Sequence, residues 1–191
     1  MAATALHLAY TFDDYVRFES DAKSKHEFVG GAILAMAGGT IEHGALCATV
    51  LRMLGEQLRG RRCRTYDSNA RIRVAETGNA YYPDASVVCG TLEMDPTDHL
   101  SILNPSLLVE VLSPSTAAYD TTDKLADYFK IPSLSYVVHV HHDARRVSLH
   151  TRQGGTFTFK SFGVGETVPL PLIDLGLAVD EIYFDPLQRQ A

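Results

Sequence analysis

The sequence predicts a mixed α/β fold of the α+β kind, with helices packed on a β-sheet. Helical and strand-like segments interleave through the first two thirds of the chain, and a run of hairpin-spaced strands follows from about residue 134. No repeat, low-complexity tract or linker interrupts them. At 191 residues and 46% hydrophobic content, the chain suits one domain spanning residues 1–191 with a sizeable core.

Taken in order, "FDDYVRFESD" reads as the first helix, with Thr11 as N-cap and Asp14 three residues on in a capping-box arrangement. "HEFVGGAILAM" reads as a strand bent at Gly30 and Gly31. A second helix starts after Thr40 and ends near Gly60, with Leu46, Val50, Leu51, Leu54 and Leu58 on one face. Strand-like segments follow at 63–74, 81–89 and 106–112, with a long polar connection over 90–105. The "SPST" turn leads to a short helix, "TTDKLADYFK". "SYVVHVHH", "RVSLHT" and "TFTFKSF" read as strands, and "GLAVDEIYFDP" as a closing helical turn or two.

Several classes are disfavoured. No apolar run approaches the roughly 20 residues of a membrane span, and the N-terminus lacks a basic, cleavable leader pattern, so the expectation is a soluble, cytoplasmic protein. Cys47, Cys63 and Cys89 form no CxxC pair and read as small core residues in a reducing compartment. The net charge of −6 argues against a protein coated in positive potential. A local basic patch remains, since Arg59, Arg61, Arg62 and Arg64 fall within six positions, as either a solvated face or a groove.

Three polar residues are at odds with their settings. Glu110 sits inside "LLVEVL", a run that reads as a fully buried strand, and an unpaired buried charge costs several kcal/mol. Asp84 follows Pro83 at a strand mouth, where a carboxylate can face a cleft. If their strands are neighbours, Asp84 and Glu110 approach each other and call for something positive between them, such as Mg²⁺. Lys124 lies in the first turn of a helix, where a cation opposes the macrodipole by about 0.3–1 kcal/mol. On the residues alone, plainer readings stand beside these: Asp84 capping a turn, Glu110 paired with an arginine, and Lys124 in a surface salt bridge with Asp120.

"YYPDASVV" followed by "LLVEVLSPSTAAYDTTDKLADYF" closely resembles the signature of the Uma-two family, a bacterial branch of the PD-(D/E)xK restriction-endonuclease-like superfamily. "KHEFVGGAILAMAGGTIEHGAL", "IPSLSYVVHV" and "LGLAVDEIYF" extend the likeness over nearly the whole chain. The resemblance implies a restriction-endonuclease-like core, a central mixed sheet flanked by helices. It matches Asp84 and Glu110 to the two acidic positions and makes them the metal ligands. Leu112 stands where the superfamily has its lysine, and Lys124 looks like the migrated replacement. Glu27 matches a recurrent acidic position and His43 a recurrent histidine, whereas the family's acidic-Gly-acidic turn is "GGA" here, at 30–32.

The implied activity is endonucleolytic hydrolysis of nucleic acid, DNA first, by a homodimer using Mg²⁺ or Mn²⁺ held by Asp84, Glu110 and a backbone carbonyl near Val111. Lys124 would position the attacking water, Glu27 would add a ligand or support one, Tyr128 would share the face of Lys124, and Arg59, Arg61, Arg62 and Arg64 would contact the phosphate backbone. Two rivals remain. One is a catalytically silent binding or homodimeric interaction protein on the same fold. The other is a zinc site on His139 and His141, which alternate onto one strand face but lack an evident third ligand.

Overall fold

The computed structural model describes residues 9–36, 38–113 and 117–187. The first helix, α1 (Phe12–Asp21), carries the expected capping box: Thr11 accepts from the Asp14 N–H, and Asp14 reaches back to the Thr11 N–H. The expected bent strand is instead a hairpin, β1 (His26–Val29) and β2 (Ala32–Ala35). Gly30 and Gly31 both take positive φ, the requirement of a tight two-residue turn, and a Cβ on Gly31 would lie 2.6 Å from that of Ala9. The second helix, α2 (Ile41–Gln57), is capped by Thr40 and buries Val50, Met53 and Leu54.

The expected strand over 63–74 divides into β3 (Cys63–Asp67) and β4 (Arg71–Val74), and that over 81–89 into β5 (Asn79–Tyr81) and β6 (Ala85–Cys89). Each pair splits between two sheets. Pro83 causes the second break, because it cannot donate to a ladder and its φ is fixed. The 90–105 connection contains β7 (Ser101–Ile102), and β8 (Leu107–Leu112) is buried along its whole length. Of the "SPST" turn at 113–116, residues 114–116 lie outside the described residues. Two short helices follow, α3 (Ala117–Asp120) and α4 (Asp123–Tyr128). The expected strands then appear as β9 (Tyr136–His141), β10 (Val147–Gln153) and β11 (Thr156–Phe162). The tail differs from expectation: β12 (Thr167–Leu170) and β13 (Leu175–Ala178) pair before a single helical turn, α5 (Val179–Ile182).

The central sheet is mixed and six-stranded, in the order β11-β10-β9-β8-β6-β3, with β8 and β9 parallel and the other neighbours antiparallel. On one face, Leu107, Val109 and Val111 pack with Val50 and Leu54 of α2 and with Leu177 and Ile182. On the other, Leu108 and Val137 pack with Leu125 and Tyr128 of α4 and with Ile72 and Tyr81. This double burial explains the unbroken apolar run around Glu110. A five-stranded sheet, β2-β1-β5-β4-β7, lies beside it, and α1 covers Phe28 and Ala80 through Tyr15.

The cysteines do not match expectation. Cys63 and Cys89 are cross-strand partners on β3 and β6 and form a disulfide, leaving only Cys47 as a free thiol among the described residues. Strand pairing brings together two residues that are 26 positions apart in sequence. The inference of a reducing compartment from unpaired cysteines therefore falls away. No helix among the described residues is long and apolar enough to cross a membrane.

Candidate functional site

Asp84 occupies the three-residue passage from β5 in one sheet to β6 in the other, which aims its side chain between the sheets. The β6–β8 register pairs Ala85 with Val109, so the next step places Asp84 across from Glu110. Asp84 Oδ2 accepts from the Val111 N–H at 2.7 Å and lies 3.3 Å from His43 Nε2. Together these residues wall a cleft of about 320 Å³ that also includes Glu27, Tyr82, Asp120 and Lys124.

Lys124 is the hub. Its side chain is 4% exposed, and Nζ lies 2.9 Å from Glu27 Oε1, 2.9 Å from Glu110 Oε1 and 3.6 Å from Asp120 Oδ1. The pair with Asp120 is thus buried rather than on the surface, and three carboxylates offset the cost of a cation in the first helical turn. Burial works against the charge, but Glu110, Glu27 and Asp120 outweigh it and hold the ammonium well above its ordinary range. The Tyr128 hydroxyl donates to the same Glu110 oxygen at 2.7 Å, so Oε2 is committed to neither partner.

Glu110 shows the opposite balance. Burial pushes its carboxyl up to about 8, with the charges of Asp84 and Asp120 adding to the effect, against the pull of Lys124 and Tyr128. Four carboxylates (Glu27, Asp84, Glu110 and Asp120) line the cleft with one ammonium. The carboxyl oxygens of Asp84 and Glu110 are the donor type that a hard divalent cation takes. His43 is shifted upward chiefly by its hydrogen bond to Asp84, against partial burial.

The structure thus brings together Glu27, His43, Asp84, Glu110, Lys124 and Tyr128. It does not bring the arginines there. Arg59, Arg61 and Arg62 follow the C-terminal end of α2, roughly 20 Å along the helix from His43. Arg61 is taken up by the Ile173 and Asp174 carbonyls and the Asp174 carboxylate, and Arg64 lies over the Tyr66 ring. Nor, among the described residues, does a third ligand join His139 and His141. His139 is buried edge-on against His150, with Nε2 unpartnered among the described residues, while His141 bonds Ser148 and Arg146. Sequence reasoning missed Asp120 and Cys47 as members of the site. The spacing of His43 and Cys47, four apart on a helix, was the available signal for the latter. Cys47 Sγ lies 3.5 Å from His43 Nδ1, and burial, then the Asp84 charge, raises its thiol above the ordinary range.

A mixed sheet flanked by helices, with paired acids where two strands meet at a cleft, is the architecture of a restriction-endonuclease-like core. The family Uma2, described as "Putative restriction endonuclease", matches residues 12–180, and the chain belongs to it. Two uncharacterised proteins of Synechocystis sp. are similar along most of their length. The protein slr1290 is 33% identical over 175 residues, covering 90% of each chain, and sll1609 is 29% identical over 154 residues, covering 81% of this chain and 87% of its own. A crystal structure described as a "putative nuclease belonging to DUF820", from Anabaena variabilis, superposes with a TM-score of 0.76 at 16% identity over 91% of this chain and 97% of the other. That likeness establishes the fold.

Proposed function

We propose that this protein is a metal-dependent endonuclease that hydrolyses phosphodiester bonds in nucleic acid, with DNA as substrate and Mg²⁺ or Mn²⁺ as cofactor. One observation carries the proposal: Asp84 and Glu110 face each other across β6 and β8 at a cleft, with the Lys124 ammonium 2.9 Å from Glu110. The ion would be held by Asp84 and Glu110. When bound, it supplies a water of lowered pKa and polarises a phosphate oxygen.

The chain's own residues do the rest. Burial raises the proton affinity of Glu110, so holding an ion there would release a proton from it to solvent. Tyr128 and Lys124 fix its Oε1 and so aim Oε2. Lys124 stays charged beside the reacting phosphate and stabilises negative charge as it develops. Glu27 pairs with the Lys124 ammonium and orients it, and the Val111 N–H holds Asp84 in position.

The test is Mn²⁺ binding together with cleavage of single-stranded, nicked and duplex DNA by the wild type, Asp84→Ala and Glu110→Ala. Each variant should weaken Mn²⁺ binding by more than about tenfold and abolish cleavage, so that both also serve as contamination controls. Unchanged isotherms in both variants would remove the metal site. Binding without cleavage by the wild type would favour the alternative, a nuclease fold retained as a binding module.

A further inference from the structure

We infer that His43, Cys47 and Asp84 form a second cation site, built for a borderline-soft ion of the Zn²⁺ class and sharing Asp84 with the hard-cation site proposed above. α2 places His43 and Cys47 one turn apart on the same face, and Asp84 arrives from the passage between the two sheets. One donor atom from each (ring nitrogen, sulfur and carboxylate oxygen) lies within 4.8 Å of the others. His43 Nε2 to Asp84 Oδ2 is 3.3 Å, and Cys47 Sγ to His43 Nε2 is 4.0 Å. Ligand bonds of about 2.0–2.3 Å at tetrahedral angles separate donor atoms by about 3.3–3.7 Å. The His43–Asp84 separation already matches such a shell, whereas Cys47 Sγ, which lies 3.5 Å from His43 Nδ1, would have to reorient with the ring to close round an ion.

Two further features fit. Gly39 passes so close to the imidazole that a Cβ there would lie 2.7 Å from His43 Nδ1, so the backbone confines one side of the ring. His43 and Asp84 line the cleft, which leaves a fourth position open to water or substrate. Nitrogen and thiolate donors favour Zn²⁺ over Mg²⁺, which prefers oxygen, so the two sites discriminate by donor chemistry. On binding, the sulfur–metal bond replaces the thiol S–H and the proton passes to solvent. Because Asp84 serves both sites, Zn²⁺ and Mg²⁺ should antagonise each other. That antagonism rests on the nuclease reading, whereas the His43–Cys47–Asp84 site does not.

The experiment titrates Co²⁺, a spectroscopic substitute for Zn²⁺, into the full-length protein with its Cys63–Cys89 disulfide kept oxidised. A thiolate-to-cobalt charge-transfer band should appear, saturate at one equivalent and vanish on addition of Zn²⁺. Cys47→Ser should lose the band, and His43→Gln should require more than about tenfold more Co²⁺ to develop it. Glu110→Gln should keep the band while losing Mn²⁺ binding, which separates the two sites. The absence of a band in the wild type, or its persistence in Cys47→Ser, overturns the inference whatever the outcome of the cleavage assay. Circular dichroism of each variant confirms that it is folded, and the fully folded His43→Gln decides the matter if Cys47→Ser is not.

Discussion

Glu110 and His139 are partners across the parallel β8–β9 pair, both ionisable, both almost fully buried and both on the sheet face that meets α4. Their surroundings differ. Glu110 is met by a lysine and a tyrosine hydroxyl, stands across from a second carboxylate and borders a cleft. His139 meets an imidazole edge-on, and its Nε2 has no partner among the described residues. Burial pushes the acid up to about 8 and the histidine down to about 3, so each resists charging. The contrast teaches that burial of an ionisable group does not by itself mark a functional position. Glu110 is distinguished by what meets it from α4 and from the β5–β6 passage, whereas His139 stays neutral.

The comparison breaks most sharply at Lys124. Removing it leaves Glu27 and Glu110 facing each other in a buried cluster with no compensating charge. Lys124→Ala should cost about 3–5 kcal/mol in urea unfolding, the usual penalty for breaking a buried ion pair from one side. A loss under about 1 kcal/mol would mean that the cluster is hydrated and that the contrast with His139 has been overdrawn. Tyr128→Phe is a smaller probe of the same shell. It withdraws one donor from Glu110 Oε1 and should cost about 1–3 kcal/mol, with part of the loss recovered when Mn²⁺ is added. Failure of Mn²⁺ to stabilise either the variant or the wild type would detach Tyr128 from any metal-binding role.

Much of this contrast was legible in the sequence, for reasons local to each segment. The capping box at Thr11 and Asp14, the apolar face of α2 and the two misplaced acids all show in neighbouring residues. The Pro83–Asp84 step announced a strand boundary, but not that the chain there leaves one sheet for another. Register accounts for the rest. Only the pairing of β3 with β6 joins Cys63 to Cys89, and only the packing of β1 beside α4 brings Glu27 to Lys124 across 97 positions of sequence. The charge pattern of Arg59, Arg61, Arg62 and Arg64 left a solvated face and a groove both open, and a sequence does not show that the length of α2 separates Arg59, Arg61 and Arg62 from the acids. Cys47 passed as a core thiol because its third companion, Asp84, comes from a distant element.

His139 offers the mildest way to sharpen the comparison. Its folded-state pKa is depressed to about 3 by burial, then by neighbouring His150, His141 and Lys124, while the unfolded chain takes up the proton near its ordinary value of 6.5. Above that value neither state is protonated and the residue exerts no pH effect. Between the two values only the unfolded state binds the proton, so stability falls as pH falls, by about 1.4 kcal/mol per pH unit in the linear part of the window. Leucine removes the titration, and Nε2 has no hydrogen bond among the described residues to lose. His139→Leu should therefore match the wild type to within about 1 kcal/mol near pH 7 and exceed it progressively below about pH 6, as read from urea unfolding at a series of pH values. Parallel pH profiles for the two proteins would show that His139 is hydrated in the folded state, and the apolar half of the comparison would fail.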